Sequence, residues 1–418
     1  MLNLRLLPLA LLAVSSLHAQ DTAQYSIPGR YNDPVQEKKP YVIMISADGF
    51  RYDLADKYQA ANLIRFREEG VQAEYMQSSY PSLTFPNHYT LVTGMYPAHH
   101  GLVDNRYYDP SRSAYYFMRD KVAVGDSSWY GGTPLWALAE SEHMISASFY
   151  WVGSESAAGG YRPTYYYHFN EAIPLAERIQ AVKDWLQLPE DKRPHFITFY
   201  LPDVDHAEHK YGPDAWQVRS AVQLVDNAVA QLVSVVGSTG LPVNYIFVSD
   251  HGMTTVDTLH PIPLPAAVDT NAFVVAIEAT MIHLYAKDKK DIKPTYKALK
   301  AGASPDYDVY LAEDVPSHWH YGKKDDRYGR IGDILLVSHA PRVFAEPGRH
   351  TPIGEHGFDP ALPDMHATFY AWGPAFKGRQ KIPGFENVNI YPLVAKILGL
   401  TYTEKIDGRL GVLEGILK

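Results

Sequence analysis

The sequence predicts an α/β protein with a largely parallel central sheet, helices on both of its faces, and a small α+β insertion or lid. Three observations carry that reading. The chain contains three short runs of uninterrupted apolar residues, helical patterns alternate with them, and its 418 residues are 46% hydrophobic and 20% charged. Strands covered on both faces read as continuous apolar runs because neither face meets water. The runs are Tyr41 to Ser46, Phe196 to Leu201 and Tyr245 to Ser249. Patterns of helical period over Asn62 to Gly70, Ala172 to Leu188 and Asp214 to Val236 supply the crossovers that parallel neighbours require. A chain of this length can bury one large core or two modest ones.

Taken in order, Met1 to Ala19 reads as a leader. Arg5 precedes the apolar run Leu6 to Val14, and Ser15 to Ala19 ends in small residues, with Leu17 three positions before the expected cut. The run is too short to span a bilayer, and no later stretch is expected to cross one. The mature chain is therefore expected to be soluble, in the periplasm or secreted. Residues 20–40 are polar and interrupted by Pro and Gly, as in an extended arm. Residues 41–418 form one domain, within which 261–344 differ in character, with Lys287-Asp-Lys-Lys-Asp-Ile-Lys293 and His318-Trp-His320.

Charge and cysteine content exclude several functions. With 38 basic and 47 acidic residues the formal net charge is −9, so a broad basic face for a nucleic-acid polymer is not expected. There is no Cys, which removes disulfides, thiolate catalysis and Cys-ligated metals. A metal site here would use His, carboxylates and hydroxyls.

Each apolar run leads within four residues to an aspartate: Asp48, Asp205 and Asp250. Sites in open α/β sheets form at the carboxyl ends of strands. One Asp there is ordinarily a helix cap; three together would repel one another unless a cation neutralised them. Asp205 and His209 are four apart, on one face of a helical turn, whereas Asp203 has Ala207 at that spacing. His206 is an alternative ligand or a supporting residue. Asp250 and His251 are adjacent in a turn that Gly252 permits. His356, between Glu355 and Gly357, would alone read as a surface histidine. In Tyr80-Pro-Ser-Leu-Thr-Phe-Pro-Asn-His88, Pro86 suits a first helical turn, which places Thr84 at or beside a helix N-terminus. The dipole there favours negative charge, and a metal ion beside it would make the hydroxyl a nucleophile. Thr84 would otherwise be an ordinary cap.

As a set, Asp48-Gly-Phe-Arg51, Thr84-Phe-Pro-Asn-His88, Gly101-Leu-Val-Asp-Asn105, Asp205-x-x-x-His209-x-x-Gly-Pro213, Asp250-His-Gly-Met253 and His356-Gly resemble the nucleotide pyrophosphatase/phosphodiesterases of the alkaline phosphatase superfamily, bacterial type. The likeness runs from about Tyr41 to Leu398. It implies an alkaline-phosphatase-like core and two zinc ions per chain. One would be held by Asp48, Thr84, Asp250 and His251, the other by Asp205, His209 and His356. It also implies that Asn105 donates to a phosphoryl oxygen, where its residue type alone suggests a turn. This chain departs from the family at Glu208, where Gly is usual. That carboxylate is expected to point to solvent, or else to add charge beside the second metal.

Three aspartates and an ionised Thr84 would balance two zinc ions, and no Lys or Arg follows Thr84. A singly charged diester or an internal phosphoanhydride therefore fits better than a monoester dianion. The expected reaction is in-line attack by Thr84, a phospho-threonine ester, and hydrolysis, releasing nucleoside 5′-monophosphates from small nucleotide substrates. The resemblance further matches Phe85 and Phe169 to a pair that sandwiches a base, Trp151 to a pocket wall and Glu155 to a polar contact with the base. Each aromatic residue is equally compatible with a core position. Glu155 among tyrosines also suits an ammonium, as in the choline-phosphodiester and lysophospholipid branch. A phosphomonoesterase of the same superfamily and a non-catalytic phosphate- or metal-binding relative complete the alternatives.

Overall fold

In the computed structural model, which describes residues 21–302, 304–345 and 348–418, the three apolar runs lie side by side at the centre of a nine-stranded sheet. The leader expected over residues 1–19 lies outside the described residues. In chain order the strands of this sheet and of the insertion are β1 (Tyr25–Ser26), β2 (Tyr41–Ala47), β3 (Val71–Ala73), β4 (Ser146–Phe149), β5 (Tyr165–Tyr167), β6 (Phe196–Leu201), β7 (Val243–Val248), β8 (Phe273–Ile277), β9 (Met281–Ala286), β10 (Tyr307–Leu311), β11 (Ile334–Ser338), β12 (Phe369–Trp372) and β13 (Gln380–Ile382). The large sheet runs β1-β5-β4-β6-β2-β7-β12-β3-β13. Its middle, β5-β4-β6-β2-β7, is entirely parallel, and β12 pairs antiparallel with β7.

Side chains alternate between the two faces, and both faces are covered. Val42, Met44, Ile246 and Val248 pack against α2 (Thr84–Thr93), α3 (Leu135–Ser141) and α8 (Ile390–Leu398). Ile43, Ile45, Ile197, Phe199 and Phe247 pack against α1 (Ala61–Glu69), α4 (Leu175–Leu186) and α6 (Trp216–Gly237). This double cover is why the central strands lack polar alternation. Contrary to the expectation that nothing after the leader could cross a membrane, α6 is long and apolar enough by length and composition. Its apolar face, including Val218, Val222, Val225 and Val229, is spent on the sheet.

Residues 261–344 contain a separate antiparallel sheet, β8-β9-β11-β10, with α7 (Ile292–Ala301) and a core of its own that includes Ile282, Leu284, Ile334 and Leu336. The arm is tied down at one edge of the large sheet, where β1 pairs with β5 and Arg30 reaches the buried Glu140 at 3.1 Å.

Register decides where the site forms. Ala47 is opposite Leu201, and Ser46 is opposite Val248. Parallel strands with matched ends deliver the residues that follow them to one edge. Replacing the fully buried Ile246 of β7 by Ala should cost about 3 kcal/mol through lost burial and a residual cavity. Urea unfolding measures it, and an unchanged midpoint would contradict the packing described.

Candidate metal centre

Asp48 follows β2 directly, Asp250 lies two residues beyond β7, and Asp205 occupies the first turn of α5 (Asp203–Tyr211), which follows β6. All three are buried, and one oxygen of each has no hydrogen-bond partner among the described residues: Asp48 Oδ1, Asp205 Oδ1 and Asp250 Oδ2. The opposite oxygens of two are fixed. Tyr200 Oη donates to Asp48 Oδ2 at 2.5 Å, and the Gly49 N–H donates to Asp250 Oδ1 at 3.2 Å. Burial, then the charges of Asp250 and Asp205, push the Asp48 carboxyl well above its ordinary range. Burial acts on Asp250 too, but the imidazoles of His251 and His88 outweigh it and hold that carboxyl low.

Three imidazoles face these oxygens, and all three are oriented the same way. Nδ1 of His251 lies 2.9 Å from the Gly252 carbonyl, that of His209 2.8 Å from the Gly354 carbonyl, and that of His356 2.9 Å from the Ser82 carbonyl. A carbonyl only accepts, so each Nδ1 carries the hydrogen and each Nε2 presents a lone pair, the arrangement of metal-ligating histidine. His209 Nε2 and His356 Nε2 are 3.2 Å apart, and Asp205 Oδ1 lies 3.3 and 3.7 Å from them. Such a gathering of lone pairs holds together only around a proton or a cation. The His251 ring stacks on His356 at 3.6 Å, and its Nε2 lies 3.0 Å from Asp250 Oδ2, 3.4 Å from Asp48 Oδ1 and 3.2 Å from Thr84 Oγ1.

Thr84 is the first residue of α2, after Leu83, which offers no side-chain cap. The dipole of that helix end lies beside the cluster; of the first-turn N–H groups, that of Phe85 is taken by Asn105 Oδ1 and Pro86 has none. Among the described residues the donors group as Asp48, Asp250 and His251; as Asp205, His251 and His356; and as His209, Glu355 and His356, with the ligand atoms of each group within 4.8 Å of one another. Orphaned carboxylate oxygens beside inward Nε2 atoms suit a cation that accepts oxygen and nitrogen donors.

The remaining residues divide. Asn105 is buried, and its Oδ1 accepts the Phe85 N–H at 3.0 Å. That bond fixes the amide and leaves Nδ2 without a protein partner among the described residues. Phe85 is half-buried against Tyr116. Phe169 is exposed and leans on Tyr150 and on Tyr200, the residue that touches Asp48. Glu155 Oε1 accepts the Phe169 N–H at 2.7 Å, so this carboxylate holds the Phe169 loop. Trp151 takes the core position. It is 5% exposed, and its indole N–H donates to the His88 carbonyl at 2.9 Å, leaving no donor for a ligand.

Two expectations are corrected. Glu208 does not point to solvent: it is fully buried, with neither carboxylate oxygen hydrogen-bonded among the described residues. Gly49, with φ of +70°, makes the space, since a Cβ there would lie 3.1 Å from Glu208 Oε2. Burial, then Asp205, hold the Glu208 carboxyl well above its ordinary range. His206 turns outward instead and lies 3.7 Å from Glu171. His356, surface-like in isolation, is buried. Sequence reasoning assigned nothing to His88, whose Nδ1 is 3.2 Å from Asp250 Oδ2, to Tyr200, or to Glu355. His88 was within reach, being four residues after Thr84 on one helix face.

This fold, with its site at the carboxyl edge of the sheet, defines a hydrolase of the alkaline phosphatase superfamily. The family model for type I phosphodiesterase / nucleotide pyrophosphatase matches residues 42–359, and the chain belongs to that metal-dependent family of enzymes acting on phosphodiester or pyrophosphate bonds. An uncharacterized pyrophosphatase/phosphodiesterase of Schizosaccharomyces pombe is 32% identical over 394 residues, covering 89% of this chain and 79% of its own. A bis(5′-adenosyl)-triphosphatase of Xenopus laevis is 32% identical over 373 residues, covering 88% and 80%. The chain spans only 43% of mouse ectonucleotide pyrophosphatase/phosphodiesterase family member 1, at 31% identity over 92% of this chain. Among solved structures, an inactive threonine-to-alanine variant of murine ectonucleotide pyrophosphatase / phosphodiesterase 5 in complex with AMP superposes with a TM-score of 0.84 at 28% identity, covering 91% of this chain and 100% of that one.

The cluster gives the metal-free protein a signed pH dependence. Burial lowers the His251 pKa, but Asp250 and Asp48 outweigh it and hold it up at about 9. Stability from a raised group is present in full below its unfolded value of 6.5 and is lost as pH rises through about 9. Asp48 and Glu208, also raised, act in the same direction, whereas the depressed His356 and Asp250 act on the acid side. Chelator-treated protein should therefore melt at progressively lower temperature from pH 6.5 to 9, and metal-loaded protein should not. A chelated form that gains stability over that window would contradict the arrangement.

Proposed function

We propose that this chain is an exported two-zinc phosphodiesterase/nucleotide pyrophosphatase that cleaves small nucleotides and their derivatives through a phospho-threonine at Thr84. The observation that carries the reading is Thr84 Oγ1, set at a helix N-terminus 3.2 Å from His251 Nε2, in the same cluster as the orphaned aspartate oxygens. Asp48, Thr84, Asp250 and His251 would hold one zinc, and Asp205, His209 and His356 the other. When bound, these ions would neutralise the aspartates, lower the pKa of the threonine hydroxyl and draw charge from the phosphoryl oxygens.

The chain's own groups do the rest. Thr84 Oγ attacks phosphorus in line, the bond to the leaving oxygen breaks, and water then cleaves the threonine ester. The Asn105 amide, held by the Phe85 N–H, donates Nδ2 hydrogens to a non-bridging oxygen as charge develops. Phe85 and Phe169 offer ring faces to a base, which stabilise by roughly 1–3 kcal/mol with little regard to base identity. Glu155 acts by holding Phe169, and Trp151 by pinning α2 through the His88 carbonyl.

A diester or phosphoanhydride remains the favoured substrate. Arg51 is engaged by Asp53 at 2.7 Å and Asp364 at 2.8 Å, so it is not available as a clamp for a monoester dianion. The relative named for a bis(5′-adenosyl) triphosphate and the AMP complex of the murine protein support small nucleotide substrates. Export rests on the pattern of residues 1–19 and on relatives named as ectoenzymes.

The test compares rates on bis(4-nitrophenyl) phosphate, 4-nitrophenyl phosphate and 4-nitrophenyl sulfate for the wild type and Thr84→Ala. The diester should be turned over fastest, and the variant should lose about 10³-fold or more in kcat. Appreciable turnover by Thr84→Ala would reject the nucleophile, and a preference for the monoester would reject the substrate class.

A further inference from the structure

The segment that presents Asn105 is gripped from behind by the insertion. Asp104, the preceding residue, is fully buried, and its Oδ2 lies 3.3 Å from Nε2 of His283 in β9, itself fully buried. The tautomer of His283 follows from its other nitrogen: the Gly332 N–H donates to Nδ1 at 3.1 Å, so the hydrogen is on Nε2 and points to the carboxylate. Tyr321 closes the same contact, donating to the Val103 carbonyl at 3.0 Å with its oxygen 3.4 Å from His283 Nε2. Arg330 completes it, with Nη1 2.9 Å from the Gly101 carbonyl. His283, Tyr321, Arg330 and Gly332 all come from residues 261–344.

The consequence for the site follows from burial. A carboxylate with no exposure must keep its donors, because an uncompensated buried charge costs several kcal/mol. Asp104 accepts from His283 and, at Oδ1, from the Arg106 N–H at 3.4 Å. Removing the imidazole donor leaves Asp104 with only the long bond from the Arg106 N–H among the described residues, and the backbone at residues 104–105 must shift to rehydrate it. Asn105 is one bond further along, with its Oδ1 on the Phe85 N–H beside Thr84. An error of about 1 Å in a reacting or stabilising group costs up to 10²-fold in rate.

We propose that His283 is a positioning residue for Asn105, acting through Asp104, and that the insertion thereby takes part in the reaction as the buttress of the Asn105 loop. This rests on the reading of Asn105 as the donor to a phosphoryl oxygen. Asn105→Ala, His283→Leu, His283→Gln, the double variant Asn105→Ala/His283→Leu and the gentler Tyr321→Phe are assayed on bis(4-nitrophenyl) phosphate, with melting temperature and metal content measured for each. Asn105→Ala should lower kcat about 100-fold. His283→Leu should lower kcat about 10-fold with KM within about 2-fold of wild type, and Gln, which can return a donor to Asp104, should recover part of it. Tyr321→Phe should lower kcat a few-fold, which keeps the test usable if His283→Leu folds poorly. The double variant should be no slower than Asn105→Ala, because both changes act through one amide. A wild-type kcat in both His283→Leu and Tyr321→Phe, or losses that multiply in the double variant, would overturn the proposal while leaving Asn105 in place. An Asn105→Ala enzyme with wild-type kcat would instead overturn the reading beneath it.

Discussion

Three buried aspartate side chains meet at one edge of the sheet, and the structure depends on what balances them. Asp48, Asp205 and Asp250 each leave one oxygen without a hydrogen bond, and the Asp48 carboxyl is driven up by burial and by the other two. Protons can relieve this only in part. Bound divalent cations would relieve it. The histidines are arranged accordingly, since every Nδ1 hydrogen is committed to a backbone carbonyl and every Nε2 is turned inward.

The fold produces this meeting by simple means. Parallel β6, β2 and β7 end in register, so the residues that follow them share an edge. Glycines at two points allow the approach. Gly49 has positive φ and no side chain to strike α5, and Gly354 lets its strand lie against the Glu208 carbonyl, which a Cβ would approach to 2.4 Å. That second contact brings the Gly354 carbonyl to His209 and sets His356 two residues on. The outer shell then reaches further, through Tyr200 and His88 to the aspartates and through the insertion to Asn105.

Legibility in the sequence followed the length of the interactions. The central strands were readable because double burial leaves a continuous apolar run, and their ends came within two residues of the expected ones. β4, β5 and β12 escaped notice because each is three or four residues long, and β4 carries two serines. The metal-type residues were legible as a family pattern, and Asp205 with His209 also from helical spacing alone. Glu208 was misread because its burial depends on Gly49, some 160 residues away in the chain. The orientation of Asn105 was hidden for the same reason, resting on the Phe85 N–H in front and Asp104 and His283 behind. Trp151 was ambiguous from its residue type, and only the neighbouring His88 carbonyl resolves it.

Elemental analysis of the purified protein tests the central claim most directly. The account predicts about two zinc ions per chain, falling to about one in a folded His209→Ala variant, with diesterase activity lost on chelation and restored by added metal. A protein that carries no divalent metal after purification and still hydrolyses the diester at the full rate would contradict it.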